Sequence, residues 1–134
     1  TSMIGLDKRW LEPYGIDPDT TFAALIPYSG QVVTHFERRR ELGLPDTQPL
    51  VDDMAPLSYV RPDCRPMLIL SGDREREMLG RYEENAYFWR MMRVAGHPDV
   101  RICEFDGFDH GNMPQAGHFV AVRYIREMER RMDR

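Results

Sequence analysis

Two short apolar runs restrict the folds that are open to this chain. Residues 22–26 read FAALI and residues 67–70 read MLIL, and small or polar residues follow each run. Apolarity that is continuous rather than alternating is typical of a strand that is buried on both faces. The two runs therefore predict two strands of a parallel sheet.

Helical patterns occupy most of the C-terminal half. Residues 81–95 carry a broad apolar stripe at helical spacing, and Gly96 and Pro98 follow as stop signals. Residues 100–105 predict a third, less buried strand, and residues 116–132 predict a final helix. The face that this helix is expected to bury contains Phe119, Val122, Ile125, Met128 and Met132. Strands that alternate with helices predict an α/β fold of about three parallel strands flanked by helices.

Between the first two predicted strands lies a long segment with little regular pattern, residues 31–60. Residues 34–42 predict one short helix in it, and Arg38, Arg39 and Arg40 are expected to form a solvated face of that helix. A long irregular segment inside a compact domain is usually a lid or a binding loop. We therefore expect this segment to act as a cap-like insert that shapes a ligand pocket.

Composition excludes several classes of protein. The 134 residues carry a formal net charge of −4, which argues against a nucleic-acid-binding surface. No run of about 18 apolar residues is present, so we expect no membrane span. The two cysteines, Cys64 and Cys103, fit neither a disulfide framework nor a zinc site. We expect a soluble protein with the cytoplasm as the favoured compartment, although this stretch carries no readable targeting signal.

Acidic residues and a histidine follow two successive predicted strands. The second strand leads into SGDRE at residues 71–75, and the third leads into DGFDHG at residues 106–111. Parallel strands bring their carboxyl ends to one edge of the sheet, where ligands bind. A carboxylate that orients a histidine general base requires this kind of convergence.

In their order, these segments resemble the C-terminal half of an α/β-hydrolase. The segments RPMLILSGDRE at residues 65–75 and GFDHG at residues 107–111 look like the strands that lead to the acid and the histidine of that family. Upstream, IPYSG at residues 26–30 and MAPLSYV at residues 54–60 also resemble segments of that family. The nearest resemblance is to microbial esterases and lipases of the hormone-sensitive-lipase-like and feruloyl-esterase-like branch.

The resemblance implies roles for individual residues in ester hydrolysis through an acyl-enzyme. His110 would be the general base. Glu75 would be the acid, because it stands three residues after Gly72, and Asp73 is the alternative acid because it lies closer to the strand end. The resemblance implies a small-molecule ester as substrate and neither a cofactor nor a metal ion.

The nucleophile that the resemblance requires is missing from this chain. An α/β-hydrolase places its serine in a Gly-x-Ser-x-Gly elbow, and no such pattern occurs here. Residues 1–12 predict a helix that is entered in mid-course, which fits the helix after that elbow. We therefore expect a C-terminal portion of a longer enzyme that is inactive alone. Ser29 and Ser71 also follow strands, but both are interpreted as loop hydroxyls that bond to the backbone.

Three other interpretations remain open at this stage. A metal site could be built from Asp106, Asp109, His110 and His118, although their spacing matches no known ligand pattern. The chain could also be a non-catalytic binding module that associates with itself, or with a missing N-terminal half, through the open edge at residues 22–26. A related hydrolase class, such as a peptidase or thioesterase, would share the fold.

Overall fold

A computed structural model describes residues 1–133. Short helices α1 (Ser2–Leu6), α2 (Pro18–Thr21) and α3 (Phe36–Glu41) precede strand β1 (Met67–Gly72). Helix α4 (Arg81–Val94), strand β2 (Val100–Phe105) and helix α5 (Met113–Met132) follow. Single 3-10 turns occur at Lys8–Trp10, Glu12–Tyr14 and Pro56–Tyr59. The alternation of strand and helix in the C-terminal half confirms the predicted α/β class.

The sheet consists of β1 and β2, which pair in parallel with Met67 opposite Val100 and Gly72 opposite Phe105. The predicted strand at residues 22–26 is present only as two isolated parallel bridges, from Leu25 to Met67 and from Tyr28 to Leu70. Pro27 lies between these bridges and has no N–H to donate, so a continuous ladder cannot form there. The segment nevertheless lies beside β1, in the place predicted for the first of three parallel strands.

Alternate residues of β1 pack into two separate apolar layers, one on each face of the sheet. Met67 and Ile69 pack with Phe88 and Met92 of α4 on one face. On the other face, Leu68 and Leu70 pack with buried residues of α5: Met113, Ala121, Tyr124 and Met128. All six residues of β1 are buried, as the continuous apolar run predicts, whereas most of β2 is only partly buried.

Helix α5 faces the sheet with a different side from the one predicted. Of the predicted buried face only Met128 is buried, while Phe119, Val122, Ile125 and Met132 are exposed. The sheet-facing side instead includes Gly117, because a Cβ at this position would lie 2.9 Å from the ring of Tyr28. Close approach of the helix to the sheet requires small residues, and this requirement overrides the apolar periodicity.

Two further predictions need correction. The predicted helix over residues 1–12 ends at Leu6, where Asp7 caps a separate 3-10 turn by accepting the backbone N–H of Arg9. Arg39 is 8% exposed rather than solvated, and its guanidinium donates to the carbonyl oxygens of Asp46 and Gln48. Arg39 thus holds the insert in a folded shape. Among residues 1–133, none of the helices combines the length and the hydropathy of a membrane-spanning segment.

Candidate active site

Three chain segments meet at the carboxyl end of the sheet. Ser29 ends the segment that bridges to β1, the turn 73–77 follows β1, and the loop 106–112 follows β2. The loop 106–112 passes close to the end of β1 at Gly72, where an added Cβ would lie 2.7 Å from the carbonyl oxygen of Phe108. A glycine is therefore required at the end of β1 so that the loop carrying His110 can reach it.

His110 is joined to a carboxylate, and that carboxylate belongs to Glu77. The Nδ1 atom of His110 lies 2.8 Å from Oε1 of Glu77. The Glu77 side chain has no exposed surface, whereas the His110 side chain is 45% exposed. An ionised carboxylate only accepts hydrogen bonds, so the neutral imidazole must carry its proton on Nδ1. Its other nitrogen, Nε2, has no hydrogen-bond partner within residues 1–133 and is left free to accept a proton.

A tight turn after β1 brings Glu77 back to the end of that strand. The backbone N–H groups of Arg76 and Glu77 both donate to the carbonyl oxygen of Asp73, at 2.9 and 2.8 Å. The N–H of Gly72 also donates to Oε2 of Glu77 at 3.3 Å. This turn places Glu77, rather than Glu75, over the edge of the sheet.

The two acids predicted from the sequence lie elsewhere, so the predicted pairing of His110 with Glu75 or Asp73 needs correction. The Asp73 carboxylate accepts the backbone N–H groups of Gly107 and Glu75, and these bonds hold the pKa of Asp73 below its ordinary value. Glu75 is exposed, and its carboxylate makes no hydrogen bond to His110. Asp73 therefore connects the two loops, and Glu77 takes the place beside the imidazole.

Ser29 completes the cluster around the imidazole. Its hydroxyl donates to Oε2 of Glu77, and its Oγ lies 3.2 Å from Nδ1 of His110. The residue is 2% exposed and has a φ of 43°, in the left-handed region. Ser71, the other serine considered as a loop hydroxyl, is fully buried at the end of β1 and its Oγ has no hydrogen-bond partner.

Polar residues at the start of α4 brace the chain just after Ser29. Arg81 donates to the carbonyl oxygen of Ser29 at 2.5 Å, and Asn85 donates to that of Gly30 at 2.8 Å. The Glu84 carboxylate accepts from Arg81 and from the backbone N–H groups of two residues, Val32 and Val33. We call Arg81, Glu84 and Asn85 the α4 clamp.

The residues that sequence reasoning missed are Glu77 and the α4 clamp. The sequence of α4 does indicate the clamp, because Arg81 and Asn85 share one helix face with Phe88 and Met92. Polar residues on a buried face need hydrogen-bond partners. Asp106, Asp109, His110 and His118, which were weighed as an alternative metal site, form no such site in the described structure. Within the part of the chain that the structure describes, no three His, Cys, Asp or Glu side chains are grouped to hold a metal ion.

A cleft of about 450 Å³ lies beside the segments that follow Ser29 and Glu77. Val33 and Pro49 of the insert line one part of it, and Leu79 and Tyr87 line another. Its walls thus come from the insert, from the stretch between Glu77 and α4, and from α4 itself.

Comparison with solved structures assigns the fold. A propionate-bound esterase, Est2, from the planctomycete Thermogutta terrifontis aligns with a TM-score of 0.61 and 20% identity over 86% of this chain. The native form of Est2 aligns with a TM-score of 0.60, and its tabun-phosphoramylated form does so at 21% identity over 79% of this chain. This chain has an α/β-hydrolase fold.

The α/β-hydrolase fold is only partly represented by these residues. The chain spans between 41% and 45% of the length of these three Est2 structures. At identities near 20% the likeness concerns the fold and leaves the chemistry to be argued from the site. No protein-family model and no curated protein sequence matches the chain.

Proposed function

We propose that this chain supplies the base and the acid of a serine-type hydrolase that cleaves small carboxylic esters. The observation that carries the proposal is the contact between His110 Nδ1 and the buried Glu77 carboxylate at the carboxyl end of a parallel sheet. It leaves Nε2 without a partner among the described residues, and the His110 side chain is 45% exposed, so a nucleophile and a substrate are proposed to reach this nitrogen. The α/β-hydrolase fold adds support, because Est2 is an esterase.

In the proposed reaction, Nε2 of His110 takes the proton of a serine hydroxyl as that oxygen attacks the ester carbonyl. The imidazolium that forms is stabilised by Glu77 and then gives its proton to the leaving alcohol oxygen. The acyl-enzyme is hydrolysed when His110 takes a proton from water and the hydroxide attacks the acyl carbon. The bond from that carbon to the serine oxygen then breaks, and the imidazolium returns its proton to the serine as the acid is released. Glu77 replaces Glu75 and Asp73 as the proposed acid, and these residues require neither a metal ion nor a cofactor for those steps.

The attacking serine is proposed to lie on a chain segment outside these 134 residues. Ser29 is not a candidate, because its Oγ faces Nδ1 on the acid side of the ring and is buried. The proposal also accounts for uncovered apolar surface, including Phe119, Val122 and Ile125 on α5. We propose that the rest of an Est2-sized domain covers this surface, since the match accounts for only 45% of the length of Est2.

The cleft between the insert and the stretch that follows Glu77 is proposed to hold the acyl or alcohol group of the ester. Val33, Pro49 and Leu79 give it apolar walls, which suit a hydrocarbon chain. The proposed role of the insert, residues 31–60, as a cap that shapes this pocket is thereby retained.

Turnover of short-chain p-nitrophenyl esters by the natural full-length protein tests the proposal. We expect turnover that falls about a thousandfold or more in His110→Gln, because a triad base is removed. His118→Gln, at an exposed histidine of α5, is the matched control and should retain wild-type activity. Equal activity in the two variants would contradict the proposal, as would thioester or peptide cleavage without ester cleavage.

The 134-residue chain alone should give only background turnover. Turnover by this chain that disappears in His110→Gln would show that the nucleophile lies within it, against the proposal.

A further inference from the structure

Ser29 has an unusual backbone conformation for its residue type. It is the one non-glycine residue with a positive φ in the described stretch 1–133. The left-handed region is strained for residues with a Cβ, and glycine adopts it without that cost. A serine held there in a buried position points to a use for its side chain that glycine could not supply.

The α4 clamp holds the backbone of this serine in place. Arg81 donates to the carbonyl oxygen of Ser29, and Asn85 donates to the next carbonyl, that of Gly30. Arg81 and Asn85 are 6% and 0% exposed, so water does not compete strongly for these bonds. The neighbouring segment therefore fixes the position of the Ser29 hydroxyl before any substrate arrives.

The hydroxyl and the imidazole bond to different oxygens of the Glu77 carboxylate, beside the backbone N–H groups of Gly72 at Oε2 and of Met78 at Oε1. Ser29 donates to Oε2, and His110 is bonded to Oε1. A carboxylate with one oxygen occupied by a fixed donor has less freedom to rotate away from the imidazole. Because Ser29 Oγ lies 3.2 Å from Nδ1, it sits on the side of the ring opposite to the free Nε2.

We infer that Ser29 is a positioning residue: held by the α4 clamp, it donates to Oε2 of Glu77 and so keeps Oε1 aligned with Nδ1 of His110. The inference rests on the proposed function for its effect on turnover, but the alignment itself concerns only residues of this chain. Ser29 acts through Glu77 and does not touch the reacting atoms.

Two variants separate the hydroxyl from the backbone conformation. Ser29→Ala removes the hydroxyl and keeps the strained Cβ, whereas Ser29→Gly removes the hydroxyl and relieves the strain. Ser71→Ala is the matched control, because Ser71 is also buried at a strand end but its Oγ has no partner. Thermal melting of Ser29→Gly should show one cooperative transition, as in the wild type, so that a misfolded protein cannot explain its behaviour.

The first measurement is the position of the proton on neutral His110, read from long-range proton–nitrogen NMR correlations in the full-length protein. The His110 signals are assigned by their loss in His110→Gln. We expect a clear preference for the Nδ1 proton in the wild type and in Ser71→Ala, and a reduced preference in both Ser29 variants. An unchanged preference in a folded Ser29→Gly would overturn the inference.

The second measurement is the kinetics of ester hydrolysis. Loss of a hydrogen bond to a charged group should lower kcat about tenfold to a hundredfold in both Ser29 variants, with KM little changed. An unaltered kcat would overturn the inference even if the wild type is an esterase. Conversely, an absence of ester turnover in the wild type would contradict the proposed function alone, since the NMR measurement does not depend on it.

Discussion

Helices α4 and α5 pack on opposite faces of the same two strands, yet they distribute polar and apolar residues in opposite ways. Helix α4 buries Arg81 and Asn85 next to the site, while α5 exposes Phe119 and Val122 to solvent. Burial of a polar group is costly unless it is hydrogen-bonded, so buried polar residues mark a place where the chain needs fixed geometry. The α4 side thus supports the site, and α5 supports the sheet through apolar packing and through the ion pair of Glu127 with Arg101 of β2.

The largest difference between the two sides is expected in activity. Glu77→Gln, in the turn that leads to α4, should lower kcat for ester hydrolysis by about a thousandfold in the full-length protein, because a glutamine no longer favours the Nδ1 proton. Glu75→Gln, two residues earlier and exposed, should change it by less than about twofold. Steady-state kinetics of both variants provide the measurement, and a larger loss in Glu75→Gln would contradict the arrangement described.

Stability should reveal the α4 clamp. Arg81→Met is expected to lower the free energy of unfolding by about 3 kcal/mol, because it removes the buried donor of the Glu84 Oε1 atom and of the Ser29 carbonyl. Arg90→Met, at an exposed arginine of the same helix, should stay within about 0.5 kcal/mol of the wild type. Denaturant unfolding compares the two variants, and equal effects would show that the α4 clamp does not stabilise the fold.

On the α5 side, stability should depend on pH through Glu127. Its hydrogen bond to the Arg101 guanidinium lowers the pKa of Glu127 to about 2, below the ordinary value of 4.5. A lowered pKa in the folded state stabilises the fold above the ordinary value, and this stabilisation is lost as pH falls from about 4.5 towards about 2. Glu127→Gln should therefore lower Tm at pH 6 but not near pH 2.

The control for that titration is Glu129→Gln, an exposed carboxylate of α5 that makes no ion pair among the residues the structure describes. It should leave Tm nearly unchanged at both pH values. A Glu127→Gln difference that persists near pH 2 would show that packing, rather than charge, links α5 to β2.

The smallest effect is expected from the exposed stripe of α5. In the 134-residue chain, replacing Phe119, Val122 and Ile125 together by Ser, Gln and Gln should change the free energy of unfolding by less than about 0.5 kcal/mol per site. Denaturant unfolding of this chain checks it. In the full-length protein the same triple variant should be clearly destabilised, because we propose that further chain covers this face. Equal effects in both proteins would argue that the stripe stays exposed.

The pattern of apolar residues was sufficient to predict β1, β2 and α4, since each lies in an environment that a continuous run or a helical stripe describes. It failed for the buried side of α5. Apolar side chains there are spaced as on a buried face, but contact with Tyr28 and Leu70 requires Gly117, which no apolar pattern identifies. Which helix face is buried therefore depends on the partner surface as well as on the helix.

The site shows the same limit. The sequence predicted that His110 would meet an acid after β1, but counting residues from Gly72 led to Glu75. Two features determine which carboxylate lies beside His110. Arg76 and Glu77 bond to the Asp73 carbonyl in a tight turn, and the Asp73 carboxylate is occupied by the N–H of Gly107. These contacts depend on the conformations of the turn and loop, so they cannot be predicted from the spacing of residues after one strand.

The pairing of His110 with Glu77 is tested most directly by the location of the proton on neutral His110 in solution, compared between Glu77→Gln and Glu75→Gln. We expect the wild type and Glu75→Gln to hold this proton on Nδ1, while Glu77→Gln shifts it towards Nε2. Long-range proton–nitrogen NMR correlations read it without requiring activity. A shift in Glu75→Gln with none in Glu77→Gln would contradict the central claim that Glu77 is the carboxylate that orients His110.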